Sequence, residues 1–361
     1  MTADFAHDTL AGRTVFGAGS RHGVAAEVDA LGATRVLVIA SRDEDAIAAE
    51  VTAQLGDRVV GRFRDVVQHV PNAKAAAAVE LAASCDADAV LTIGGGSATG
   101  FGKVVCLDSD AELAFVCIPT TYAGSEMTTI WGRTDGDHKQ TGKNPVVKPD
   151  TVIYDPDLTA SLPARIAGPS GMNALAHCVE ALYGPGANPV VALSALEGIR
   201  VLNHSLPIVC DGAADASARA VARSDVLFGA HLAGVALAAA GTALHHKTCH
   251  VLGGMFDLNH GDMNAVVLGH ALAYNAPAIP SVMQQIATAL GVGADAAPKQ
   301  LIELARMIGA PSSLEAIGMP EDGIEDAARR VVAEARANVR PPELDGITAM
   351  LADAFAGRDP R

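Results

Sequence analysis

Up to about residue 155 the chain alternates short apolar runs with alanine-rich segments, and beyond about residue 162 such runs stop. Residues 35–40 (RVLVIA), 89–93 (AVLTI), 115–118 (FVCI) and 151–154 (TVIY) are apolar or β-branched runs bounded by turn residues. They predict strands buried on both faces, as in a parallel sheet. Segments 46–55 and 72–84 between them have helix-forming composition. Strand–helix alternation implies right-handed βαβ units and an open, doubly wound α/β sheet. Segments 172–183, 190–202, 218–237, 244–253, 264–274, 282–290 and 299–308 all read as helices, with shorter ones towards residue 355. The chain therefore divides into an α/β domain, 1–157, and an all-helical domain, 158–361. A cleft between two unlike domains is a natural place for a cofactor and a substrate.

The core must be aliphatic, because 50% of residues are hydrophobic and only 4% aromatic. A formal net charge of −15 argues against sequence-independent binding to nucleic acid or an anionic membrane, since both need a basic face. The six cysteines form no CxxC pair and most sit in apolar runs, which predicts buried free thiols in a reducing compartment. The N-terminus lacks the pattern of a secretory signal, and the apolar stretch 232–244 is too short to span a bilayer. A soluble, cytoplasmic protein is expected.

The sharpest feature of the first half is Gly94-Gly95-Gly96-Ser97, directly after a strand and before a helix predicted over 99–107. Consecutive glycines let a backbone approach a pyrophosphate, and the helix that follows offers unpaired N–H groups and a positive dipole end. The plainer reading is a tight turn that needs glycine for packing. A second loop, Pro119-Thr120-Thr121-Tyr122-Ala123-Gly124-Ser125-Glu126, places the hydroxyls of Thr120, Thr121 and Ser125 after the next strand. Ligand-binding loops of a parallel sheet lie there, at the carboxyl ends of strands. The second strand runs into Ser41-Arg42, with nothing acidic read there to repel a 2′-phosphate, so both NADH and NADPH are expected to serve.

The second half carries histidines at helical spacing. Asn173 and His177 lie four residues apart, His246 and His250 repeat that spacing, and His260 follows in a predicted loop. Each pair projects from one helix face. Three imidazoles with a polar fourth group suggest a divalent metal site, against the plainer reading of unrelated histidines.

With these residues in view, the chain resembles the iron-containing alcohol dehydrogenase superfamily. The Gly-Gly-Gly-Ser turn, the Pro-Thr-Thr loop, the N-A-x-x-H helix and the H-x-x-x-H…H-G run stand in that family's order, over roughly residues 16–275. The resemblance implies a dinucleotide-binding domain followed by a helical domain, a scaffold shared with dehydroquinate synthases. Segments 119–129 (PTTYAGSEMTT), 171–183 (GMNALAHCVEALY) and 244–258 (LHHKTCHVLGGMFDL) resemble the maleylacetate reductase branch. Segment 259–264 (NHGDMN) departs from the Pro-His-Ala stretch expected there.

By this resemblance His177, His246 and His260 match family metal ligands (iron or zinc), His250 matches an active-site histidine, and Lys139 matches a cofactor-contacting lysine. Asn173 stands where metal-dependent members carry aspartate, so a divalent metal is expected to be dispensable. The implied substrate is a small dicarboxylate, 2-maleylacetate, reduced at its carbon–carbon double bond to 3-oxoadipate by NADH or NADPH in aromatic compound degradation. His250, His246, His177 and Asn173 would form the catalytic group, and Lys139, Lys143, His245 and Lys247 are candidate partners for carboxylates or cofactor; Arg133 is left unassigned. A homodimer is also implied. The alternative within the superfamily is a metal-dependent alcohol or polyol dehydrogenase.

Overall fold

The computed structural model describes residues 4–136 and 138–361, with the backbone alone at Lys139. The chain forms two compact units, Thr9–Leu162 and Pro163–Arg361, the described residues up to Asp8 counting with the second. The turn Pro156–Thr159, which the sequence-based boundary divides, lies whole in the first unit. Asp155, fully buried just before it, accepts hydrogen bonds from the Gly19 and Arg21 backbone N–H groups and from the Arg21 guanidinium.

The first unit contains strands β1 (Arg13–Phe16), β2 (Val36–Ile39), β3 (Val59–Phe63), β4 (Ala89–Gly94), β5 (Ala114–Pro119), β6 (Ile130–Asp135), β7 (His138–Lys143) and β8 (Thr151–Tyr154). Its helices are α1 (Val24–Ala30), α2 (Asp45–Thr52), α3 (Asn72–Ser84) and α4 (Gly96–Asp108). Six strands pair in parallel in the order β1-β8-β5-β4-β2-β3. The doubly wound parallel sheet expected from the strand–helix alternation is the one observed. Strands β2, β4 and β8 are buried at every position, which is why they read as unbroken apolar runs.

Helix α4 lies hard against the sheet. A Cβ at Gly102 would sit 2.4 Å from Thr92 Cγ2 and 2.7 Å from the Phe115 ring, so only glycine permits that approach. Strands β6 and β7 form a separate antiparallel hairpin.

The second unit is helical: α5 (Ala164–Ala181), α6 (Pro189–Cys210), α7 (Ala216–Ala240), α8 (Leu244–Phe256), α9 (His260–Asn275), α10 (Pro280–Leu290), α11 (Ala297–Met307), α12 (Ile324–Glu334) and α13 (Leu344–Phe355). Helix α5 is buried at every position from Gly171 to Ala181, as a helix surrounded by others must be. A Cβ at Gly171 would lie 2.1 Å from Leu206 Cδ2, so the glycine lets the Leu206 side chain of α6 seat directly on the α5 backbone. Helix α7 is long and apolar enough to cross a bilayer, but half of its most apolar window is buried within the protein. All six cysteines are free; Cys106, Cys117, Cys178 and Cys249 are buried, and Cys85 and Cys210 half-buried.

Candidate active site

Two constellations emerge, one in each unit. In the first, Gly94 ends β4 with φ of +144°, a conformation open to glycine, and Gly95 precedes α4. Gly95 carries no capping side chain, so the first-turn N–H groups of α4 have no intrahelical acceptor and are available to an anion. A Cβ on Gly95 would lie 2.9 Å from Thr121 Cγ2, so glycine at this position serves the closeness of the next loop. Beside these residues lies a cavity of about 320 Å³, walled in part by Gly94, Gly95, Gly96, Ser97, Thr121 and Glu44. That is within the range of about 300–1,000 Å³ of small-molecule sites.

The sequence-derived set maps onto this cavity unevenly. The three glycines, Ser97 and Thr121 line it. Thr120 instead donates its hydroxyl to Glu44 Oε1 at 2.9 Å. Ser125 does not line it; its main-chain carbonyl accepts from Lys103 Nζ at 2.7 Å. The side chain of Lys139 lies outside the described part of the structure. Arg133 is engaged by Asp108, at 2.6 Å, and lies over the Trp131 ring.

Lys103, on α4 and 2% exposed, also donates to the Thr128 carbonyl, the Thr128 hydroxyl and the Ile130 carbonyl at 2.7–2.9 Å. It therefore fastens the loop after β5 to the helix that opens on the glycine turn. Burial pushes its ammonium down to about 7, while the acceptors around it and the nearby Glu126 favour the charged form. The reading that nothing acidic follows the second strand needs correction. Glu44, in the 3-10 turn Arg42–Glu44 after β2, is part of the cavity wall.

In the second unit, α5 presents Asn173, His177 and Glu180 on one face, with α8 supplying His245, His246 and His250. The Asn173 side-chain nitrogen and His177 Nε2 are 3.2 Å apart, as expected for an i, i+4 pair. The His177 and His246 rings stack at 4.3 Å with an interplanar angle of 10°. His250 lies 6.4 Å from His246, and His260 lies 6.3 Å from His250, centroid to centroid. Asn173, His177 and His246 are buried, whereas His250 and His260 are exposed. The result is a dry floor with an accessible rim.

His260 is not in a loop: it is the first residue of α9, which Asn259 caps by accepting from the Asp262 N–H. Gly261 explains its position. A Cβ there would sit 2.9 Å from Pro169 Cβ, so the glycine lets the first turn of α9 abut α5.

Glu180 is the residue that sequence reasoning missed. It is fully buried, and its carboxylate accepts from the backbone N–H groups of Ala243, His245 and His246 at 3.0, 2.7 and 3.4 Å. It thereby caps α8, whose own N-cap residue, Ala243, has no side chain able to do so. The same carboxylate is 2.6 Å from His246 Nδ1. Burial raises the Glu180 carboxyl, and these donors oppose it; an acceptor of several N–H bonds at a helix N-terminus is suited to the carboxylate form. His246 thus carries its proton on Nδ1 and leaves Nε2, which has no hydrogen-bond partner among the described residues, for chemistry.

His245 is not a cation for substrate. Its ring is fully buried, 3.1 Å from the Asn264 carbonyl through Nε2, and burial pushes it down to about 3 with His246 adding to the effect. It stays neutral in the fold and protonates in the unfolded chain below its ordinary value of 6.5. The unfolded state then binds more protons, so stability is complete above pH 6.5 and falls as pH drops towards 3. Urea unfolding should show stability falling with pH over this range, with His177 and His246, also held below their ordinary value by burial, contributing in the same direction. H245Q should make the dependence between pH 6.5 and 5 shallower; an unchanged slope would remove His245 as a contributor.

The site would offer a divalent metal three imidazoles and an amide, with no carboxylate among them. Asn173, His177, His246 and His260 are a neutral set, and a dication bound by neutral donors alone lacks a carboxylate to offset its charge. Glu180, His245 and His246 bring donor atoms within 4.8 Å of one another, but the Glu180 oxygens are already taken by backbone amides and by His246. His177 Nε2 is likewise engaged by the Asn173 amide.

Comparison with known proteins adds to this geometry. Residues 11–156 match the family described as iron-containing alcohol dehydrogenase, and residues 168–355 match the C-terminal part of the same family. The maleylacetate reductase of Sphingobium indicum is 47% identical over 356 residues, covering 99% of both chains. That of Burkholderia cepacia is 47% identical over 348 residues, covering 96% of this chain and 97% of its own. The crystal structure of maleylacetate reductase from Agrobacterium tumefaciens superposes with a TM-score of 0.93 at 39% identity, covering 99% of this chain and all of that one.

Proposed function

The chain belongs to the iron-containing alcohol dehydrogenase family, and from that premise we propose that it is a maleylacetate reductase. It reduces the carbon–carbon double bond of 2-maleylacetate to give 3-oxoadipate, with a reduced nicotinamide dinucleotide as the electron source. The observation that carries this reading is the neutral imidazole floor, with its one contacting carboxylate, among the described residues, withdrawn behind His246.

The chemistry suits that floor. A bound reduced nicotinamide supplies a hydride. Addition to the carbon β to the ketone leaves an enolate on the ketone oxygen, and a proton must then reach the adjacent carbon. An enolate is delocalised and less basic than the localised alkoxide of simple carbonyl reduction, so it asks for less electrophilic stabilisation, which hydrogen-bond donors supply. Burial and the facing His250 and His260 hold His246 well below its ordinary value in the free protein. A substrate with two carboxylates supplies the negative charge that favours a proton on Nε2, while Glu180 holds the Nδ1 proton. His246 then stabilises the enolate oxygen. His250, exposed on the rim, delivers the proton to carbon and recovers it from solvent.

NADH oxidation by chelator-treated protein offered 2-maleylacetate is the direct test. The expected result is turnover that iron or zinc does not increase. N173D should raise affinity for a divalent ion by about tenfold or more, because it restores an anionic ligand. Activity only after metal is returned would assign the chain to the metal-dependent dehydrogenases of its family. No oxidation under either condition would sink the substrate assignment.

A further inference from the structure

Glu44 stands in the wall of the cavity beside the glycine turn, and neither the sequence nor the family match gives it a role. Strand β4 carries the turn, β2 is its immediate neighbour in the sheet, and Glu44 lies just beyond the carboxyl end of β2. In the ordinary dinucleotide fold, an acidic residue after the strand adjoining the glycine-turn strand receives the adenosine ribose hydroxyl. The spatial relation here is the same, although Ser41 and Arg42 come first along the chain.

The carboxylate is also fixed. Thr120, at the end of β5, donates to Glu44 Oε1 at 2.9 Å, which leaves Oε2 to act as an acceptor. Among the described residues no cation pairs with it. Arg42, nearest along the chain, pairs with Asp65 at 3.2 Å, and Arg64 pairs with Asp45 at 3.0 Å. Glu44 is half-buried, and its burial places an uncompensated negative charge where solvent screens it less than on an open surface.

We infer that Glu44 is the residue that selects NADH over NADPH, by accepting a ribose hydroxyl and repelling a 2′-phosphate. The inference rests on the cavity being the dinucleotide site of the reductase. A hydroxyl gives the carboxylate a donor, whereas a phosphate gives it only like charge at close range. The sequence alone is open to both cofactors because Arg42 invites a phosphate; in the structure its guanidinium is turned to Asp65, which offsets part of that attraction.

Calorimetric titration of the full chain with ADP-ribose and with ADP-ribose 2′-phosphate tests this without turnover. ADP-ribose should bind about 100-fold more tightly, and E44Q, which keeps an acceptor for Thr120, should narrow the gap about tenfold. The kcat/KM ratio for NADH against NADPH should move in parallel. Equal binding of the two ligands, or a ratio unmoved by E44Q, would overturn the role of Glu44 while leaving the dinucleotide site in place. Failure of both ligands to bind would instead overturn the cavity as that site. R42A should leave the ligand ratio unchanged; if it weakens the 2′-phosphate form alone, Arg42 and not Glu44 governs the choice.

Discussion

Alanine at His246 or at His250 is expected to lower kcat by about 10²–10⁴-fold, the range for loss of a positioned proton donor or acceptor. Affinity for NADH should change little, because both residues lie in the helical unit and the glycine-turn cavity lies in the other. The two variants should differ in kind. Removing His246 takes away the buried group backed by Glu180. Removing His250 takes away the exposed one, so small imidazole or amine buffers should restore part of the H250A rate and none of the H246A rate. Steady-state kinetics with and without added imidazole would decide the matter. Wild-type turnover in either variant would refute its role.

Glutamine at Glu180 should lower kcat by about 10- to 100-fold, as removal of a partner that orients an active-site histidine does. Glutamine retains an acceptor oxygen but loses the charge. The pair with His246 at 2.6 Å and the cap over three backbone N–H groups are therefore both weakened. Stability should fall by about 1–3 kcal/mol, since buried donors lose a charged acceptor. The kinetic and structural roles can be separated. If E180Q retains full kcat while its urea midpoint falls, Glu180 is only a cap for α8.

Much of the architecture was legible because the central strands are buried on both faces and the helices of the second unit have no competing pattern. What escaped had physical reasons. Strand β1 is four residues at a sheet edge, largely exposed, and reads RTVF. Strand β3 is the opposite edge and contains Gly61, where a Cβ would meet Cys85 Sγ and Leu37 at 3.2 Å. The β6–β7 hairpin includes HKQTGK, which has no apolar face to betray a strand.

The histidine pairs were readable from spacing alone, and so was Glu180 in principle. Asn173, His177 and Glu180 fall at i, i+4 and i+7, a single helix face. A glutamate inside a helical run passes for a solvent-facing helix former, and that concealed it. Glu44 was hidden differently. In Asp43-Glu44-Asp45 it looks like the acidic first turn of a helix, and only the third dimension separates it from its neighbours.

The buried thiols take on a further meaning once the substrate is considered as a reagent. An unsaturated ketone that accepts hydride at its β carbon also accepts a thiolate there, so every reactive cysteine is a site for the enzyme to be alkylated by what it processes. Burial pushes Cys106 and Cys117 up to about 12 and Cys210 to about 11, and raises Cys178 and Cys249 as well. At neutral pH these sulfurs are thiols, and four of them lie out of reach in the core. An aliphatic, tightly closed interior thus keeps four of the six cysteines away from the electrophile that the enzyme processes.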